Sequence, residues 1–149
     1  MNLADRAAAF LGKGIKEISG ASSHPQILAW IKRTEQLYPS DTPIDDSKYA
    51  WCGVLVGNMV LDERATNPKM PAPPKYFQGA TKWKTWGAQI PFKDAQRGDV
   101  VVLFRTGGYH VAIVSGLTAT GLKVIGGNQS DSLSVAEYPW SKVVAVRRG

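Results

Sequence analysis

The sequence predicts an α+β fold, with helices from the N-terminal half packed on an antiparallel β-sheet of about five strands. Three observations carry that expectation. Apolar residues recur at helical spacing in the first half, from Leu3 to Val60 and again over Tyr76, Ala80 and Trp83, and in β-rich runs from about residue 99. Turn-forming glycines punctuate the second half at short intervals. A proline-rich stretch, "NPKMPAPPK", stands as a loop between the two helical stretches.

Leu3, Ala7, Phe10 and Leu11 follow helical spacing, and Gly12 and Gly14 close that segment. In "SHPQILAWIKRTEQL", Ser23 and Gln26 form a capping-box pair, Pro25 suits a first turn, and Ile27, Leu28 and Ile31 supply a buried face. "YPSDTPIDDSKYA" reads as a loop. A third helix is expected from about Trp51, burying Val54, Leu55, Met59 and Val60. Tyr76, Ala80 and Trp83 mark a short fourth helix, with Gly87 as its C-cap. The strands are "DVVVLFR", "YHVAIVSGLT", "LKVIGG", "LSVAEYP" and "KVVAVRR"; tight turns between them imply an antiparallel meander.

Length and composition narrow the classes. At 149 residues and 44% apolar, residues 1–149 are expected to form one domain around one core. No apolar run approaches the roughly 20 residues that span a bilayer, and the N-terminus shows no long apolar h-region. One cysteine excludes an internal disulfide framework and a multi-cysteine zinc site, and two histidines argue against structural zinc. The net charge of +6 fits solubility alone as well as it fits an anionic partner, either nucleic acid or a bacterial envelope. The basic residues are scattered rather than gathered into an arm or stripe, which speaks against nucleic acid.

Chemistry is expected at Cys52, the lone cysteine. It stands at the start of the third helix, where free N–H groups and the helix dipole favour a thiolate and an oxyanion. From position alone the structural reading is the stronger one, because free cysteine is among the most buried residue types. His110 follows the "RTGGYH" turn at the head of a strand and suits a general base, or a plain sheet histidine. His24, in an ordinary helix start, reads as a surface residue. Asn128, in "VIGGNQSD", could fix the orientation of the histidine, with Asp131 and the more distant Glu137 as alternatives.

The order of cysteine on a helix, histidine on a strand and asparagine at a later strand end is that of papain-like cysteine hydrolases. Five blocks sharpen the likeness. "YAWCGVLVGNMV" resembles the nucleophile helix of small lysins related to the CHAP family (cysteine, histidine-dependent amidohydrolases/peptidases). "TKWKTWG", "RGDVVVLFR", "GYHVAIVSG" and "VIGGNQSDSLSVAEYP" are similar to that family's Trp-containing segment, Gly-Asp turn and first strand, histidine strand, and third-residue segment, in the same order. NlpC-type wall peptidases share the cysteine-then-histidine logic.

The resemblance implies a papain-like cysteine peptidase fold and a peptidoglycan hydrolase, either endopeptidase or N-acetylmuramoyl-L-alanine amidase. Cys52 would be nucleophile, His110 general base and Asn128 orienter. Many CHAP domains place a glutamate two residues before the asparagine, where this chain has Gly126. Trp51, Trp83, Trp86 and Tyr109 are the aromatic residues expected to line a substrate groove. "DDSKYA", with Asp45 and Asp46, only faintly echoes the calcium loop of some CHAP domains, so no metal and no cofactor is expected. The expected setting is a monomer made in a bacterial cytoplasm without a signal peptide and acting on the periplasm or cell wall after release, as a phage endolysin. An antibacterial effector amidase of the same chemistry, and a non-catalytic phage structural or wall-binding module, are the alternatives.

Overall fold

The structure, a computed structural model, describes residues 2–18, 23–44 and 49–149. It is α+β: three N-terminal helices lie against a six-stranded antiparallel sheet. The helices are α1 (Leu3–Ala8), α2 (Pro25–Leu37) and α3 (Cys52–Thr66). The strands are β1 (Ala88–Gln89), β2 (Val100–Arg105), β3 (Gly108–Leu117), β4 (Gly121–Gln129), β5 (Ser132–Pro139) and β6 (Val143–Arg148), in the spatial order β1-β6-β2-β3-β4-β5.

α1 opens on a reciprocal cap between Asn2 and Asp5 and ends at Ala8, earlier than the spacing of Phe10 and Leu11 suggests. Phe10 still packs edge-on against Trp30, with ring centroids 5.1 Å apart, so its apolar contact is made from a turn. The N-cap of α2 is His24, whose Nδ1 accepts from the Gln26 N–H at 3.1 Å. His24 is thus a half-buried capping residue, one position beyond the expected Ser23 and not a plain surface histidine.

α3 is the central helix, and its first nine residues are all buried. Such a helix needs close neighbours on every side, and glycine makes room for one of them. A Cβ at Gly57 would fall 2.0 Å from the Phe77 ring, and one at Gly53 would fall 2.3 Å from the Phe77 carbonyl oxygen. Asn58 is the buried polar exception. Its amide donates to the carbonyls of Val54 (2.8 Å) and Trp30 (3.3 Å) and to Thr34 Oγ1 (3.2 Å), tying α3 to α2.

The sheet has apolar cores on both faces, which explains the unbroken "VVVL" of β2. Val100 and Val102 join the helix-side core, and Val101 and Leu103 join a second core with Ala112, Val114, Leu122, Val124, Val143 and Val146. β2 to β5 form the expected meander. The last strand departs from it: β6 crosses back to pair with β2, and the two-residue β1 adds a sixth strand beyond it. From Ser134 on, β5 alternates half-buried and exposed residues as an edge strand should, whereas Val143 and Val146 of β6 are needed over the second core beside β2. The expected fourth helix is a 3-10 turn, Ala80–Thr85.

Candidate active site

The N-terminus of α3 is wedged where β3 and β4 part. Their ladder begins at Ile113↔Ile125, so the residues nearer the turns, from His110 to Ala112 and from Gly126 to Gln129, are not paired with each other. Trp51, the N-cap of α3, fills this opening. A Cβ on Gly127 would lie 2.5 Å from the Trp51 ring, so only glycine lets β4 come this close. The Trp51 Nε1–H donates to Glu17 at 2.9 Å. Glu17 is fixed in turn by the strip from Ile15 to Glu17, which hydrogen-bonds to Leu133 and Asp131 at the β4–β5 turn.

Cys52 is therefore set at the first turn of a helix with its thiol against β3. The residue is only 5% exposed, and the backbone N–H of Val111, the residue after His110, acts on the thiol from β3. Burial pushes the thiol above its ordinary pKa. The Val111 N–H, the Arg105 charge and the Gly53 and Cys52 N–H groups pull the other way without prevailing. The thiolate expected from the helix N-terminus is thus not the resting state: desolvation at this depth outweighs the helix dipole.

His110 is fully buried on β3, opposite Leu103 of β2. Its Nε2 lies 3.0 Å from Gln129 Oε1. The Gln129 amide nitrogen donates to the Ser134 carbonyl at 2.7 Å, and a carbonyl can only accept. That bond fixes which end of the amide is oxygen. The oxygen then faces His110, so Nε2 carries the proton of the neutral ring. Nδ1 is left with its lone pair, buried and without a hydrogen-bond partner. Burial first, then the charge of Arg105, brings the His110 pKa down to about 4 despite the Gln129 contact. At neutral pH the thiol and the imidazole are both neutral, and no hydrogen bond joins them.

The side chain that His110 meets is that of Gln129 and not that of Asn128. β4 carries a bulge here: Gly126 pairs with Ser134 and Gln129 with Ser132, so β4 spends one residue more than β5. On a regular strand residues 126 and 128 would share a face. The extra residue, with Asn128 at φ 57, shifts the phase and puts Gln129 on that face instead. Gly126 belongs to the same device, since a Cβ there would lie 2.7 Å from Gln129 Oε1. The position where a carboxylate was sought must be empty for Gln129 to reach His110. Asn128 contributes its backbone carbonyl, which accepts from Arg105 at 3.1 Å. Asp131 is exposed at the β4–β5 turn, and Glu137 is exposed on β5, 3.9 Å from Lys123.

The aromatic assignments divide. Trp51 and Trp86 are core residues and offer no ring to a groove: Trp86 donates to the Ala72 carbonyl at 2.8 Å and packs edge-on against the buried Trp83. Tyr109 is 41% exposed, on the opposite face of β3 from His110, edge-on to Phe104 and capped by Lys84 Nζ at 4.1 Å. Among the described residues, no three His, Cys, Asp or Glu side chains gather as a metal-ligand set. The Asp45–Asp46 pair lies outside the described residues.

No protein-family profile and no curated protein sequence matches the chain. Among solved structures, the chain is similar to the resuscitation promoting factor interacting protein RipA mutated at H432. The identity is 15%, the match covers 98% of this chain and 81% of that one, and the TM-score is 0.45.

Proposed function

We propose that this chain is a cysteine hydrolase that cleaves amide bonds of bacterial peptidoglycan, with Cys52 as nucleophile, His110 as general base and Gln129 as the residue that orients it. One observation carries the chemistry: His110 is held by Gln129 in the tautomer that leaves Nδ1 bare, buried and unpartnered, and the backbone N–H of the next residue, Val111, favours the charged form of the Cys52 thiol. A buried acceptor without a donor costs about 1–3 kcal/mol, and a proton to be taken from a thiol is a reason to keep one. The order of the five CHAP-like sequence blocks and the +6 charge support the wall as substrate.

In this mechanism His110 Nδ1 takes the Cys52 proton as sulfur attacks the amide carbonyl carbon. The carbonyl π electrons move to oxygen, and the Cys52 backbone N–H at the start of α3 helps hold that oxyanion. Collapse of the intermediate expels the amine, which leaves with the proton from His110. Water, deprotonated by the same nitrogen, then hydrolyses the thioester and restores the thiol. Because both groups begin neutral, proton transfer accompanies attack and no preformed ion pair is needed.

Digestion of purified peptidoglycan, with mass spectrometry of the products, tests this reading. Wild type should release soluble fragments, and Cys52→Ala should lose at least about 10³-fold in rate while keeping its circular dichroism spectrum. New N-termini within the stem peptides would identify an endopeptidase; intact stem peptides freed from the sugar would identify an amidase. Undiminished digestion by Cys52→Ala would refute the assignment. Activity on intact walls would place its action at the cell envelope.

A further inference from the structure

Arg105 has no place in the proton transfers above, yet it stands at the site. It is the last residue of β2 and shares a face with Leu103, the cross-strand neighbour of His110. Its own cross-strand neighbour is Gly108, so no side chain covers it from that side. One N–H is committed to the Asn128 carbonyl at 3.1 Å, beside the Gln129 that holds His110. That bond aims the guanidinium without neutralising it. Among the described residues no carboxylate pairs with it, whereas Arg6, Arg33, Arg97 and Arg148 each have one. The side chain is half-buried, so the rest of its donor fork opens to solvent.

We propose that Arg105 is a substrate-binding residue that selects peptides carrying a free carboxylate next to the scissile amide. The inference rests on the hydrolase reading and names the substrate class of that site. A fixed guanidinium with free parallel donors matches a carboxylate in a two-point contact and matches a carboxamide poorly. Arg105 is anchored on the carbonyl of Asn128, the residue before the Gln129 that holds His110, and its charge acts on both Cys52 and His110. Burial first and the Arg105 charge second hold His110 acidic; such a carboxylate would offset the second of these, so the correct substrate would make its own general base stronger. Peptidoglycan stem peptides offer two such groups, one on an in-chain acidic residue and one at the chain terminus.

Synthetic stem peptides test this in matched pairs, one carrying the carboxylate and the other a carboxamide, at each of the two positions. Wild type should cleave the acid form with kcat/KM at least about tenfold above the amide form at one position. Arg105→Met should bring that ratio close to one, and Arg105→Lys, which keeps the charge and loses the fork, should retain part of it. The ratio is read within one preparation, so a fraction of misfolded enzyme drops out. Equal rates on acid and amide at both positions, or an unchanged ratio in Arg105→Met, would overturn the proposal while leaving the hydrolase reading intact. Calorimetric binding of the same peptides to Cys52→Ala separates the two: a tenfold acid preference without turnover by wild type supports Arg105 and sinks the hydrolase.

Discussion

At residue scale the site turns on one side chain that is easily misassigned. Asn128 and Gln129 are neighbours with the same functional group, and "GGNQ" gives no sign of which one reaches the histidine. Only the bulge and the positive φ at Asn128 decide it. Two variants separate their roles. Gln129→Leu should lower kcat by about 10²-fold, because the ring loses the acceptor that fixes its tautomer. Asn128→Gly, which keeps the backbone carbonyl and suits the left-handed φ, should leave kcat close to wild type and cost little stability. Steady-state kinetics on one soluble substrate decides between them; the reverse ranking would return the orienting role to Asn128. The places of Cys52 and His110 in the fold were legible for a different reason. The chain has one thiol and two imidazoles, and sequence pattern alone put Cys52 at a helix start and His110 at the head of a strand.

At the scale of elements, α3 is where packing is least forgiving. Phe77 lies in a notch that Gly53 and Gly57 leave on the helix, and this contact holds the loop after α3 against the segment that begins with Cys52. Gly57→Ala should destabilise the protein by about 1–3 kcal/mol despite the higher helix propensity of alanine, because the new methyl group falls on the Phe77 ring. Urea denaturation would show the lower midpoint; a stabilised variant would mean that Phe77 moves away without cost. The helices and long strands were readable because each carries its own periodicity. The short elements were not: Ala88 and Gln89 form a strand only because Arg147 and Arg148 of β6 lie alongside. Ser23 and His24 both offer a side-chain acceptor at the start of α2, and the chain trace selects the histidine.

At the scale of the whole molecule, burying an imidazole makes folding depend on pH. The His110 pKa is about 4 in the folded protein, against about 6.5 in an unfolded chain. The unfolded chain therefore takes up the proton first as pH falls. The stability linked to neutral His110 is complete above about pH 6.5 and is lost progressively down to about pH 4, for a total of roughly 3 kcal/mol. Denaturant unfolding at pH 7, 5.5 and 4 should show this loss in wild type and a much flatter profile in His110→Gln over the same window. Parallel profiles would mean that His110 is more solvated than the structure has it. The carboxylates with lowered pKa, Asp5 and Glu35, add their own losses below about pH 5, where they overlap the acid end of the His110 window and act equally in both proteins.

The sequence by itself determined the α+β class, the position of the lone thiol at a helix start, the histidine strand and the glycine-rich turn beyond β4. Local periodicity, turn chemistry and residue scarcity are written in neighbouring letters. Tertiary structure decided the return of β6 to β2, the burial of Trp51 and Trp86, the choice of Gln129 over Asn128, and the neutral state of Cys52 and His110. Each of these depends on segments far apart in the chain: which strand covers a core, where one extra residue shifts a strand's phase, and how deeply a charge would be buried. Desolvation is set by all the neighbours at once, and so the helix start that promised a thiolate holds a thiol.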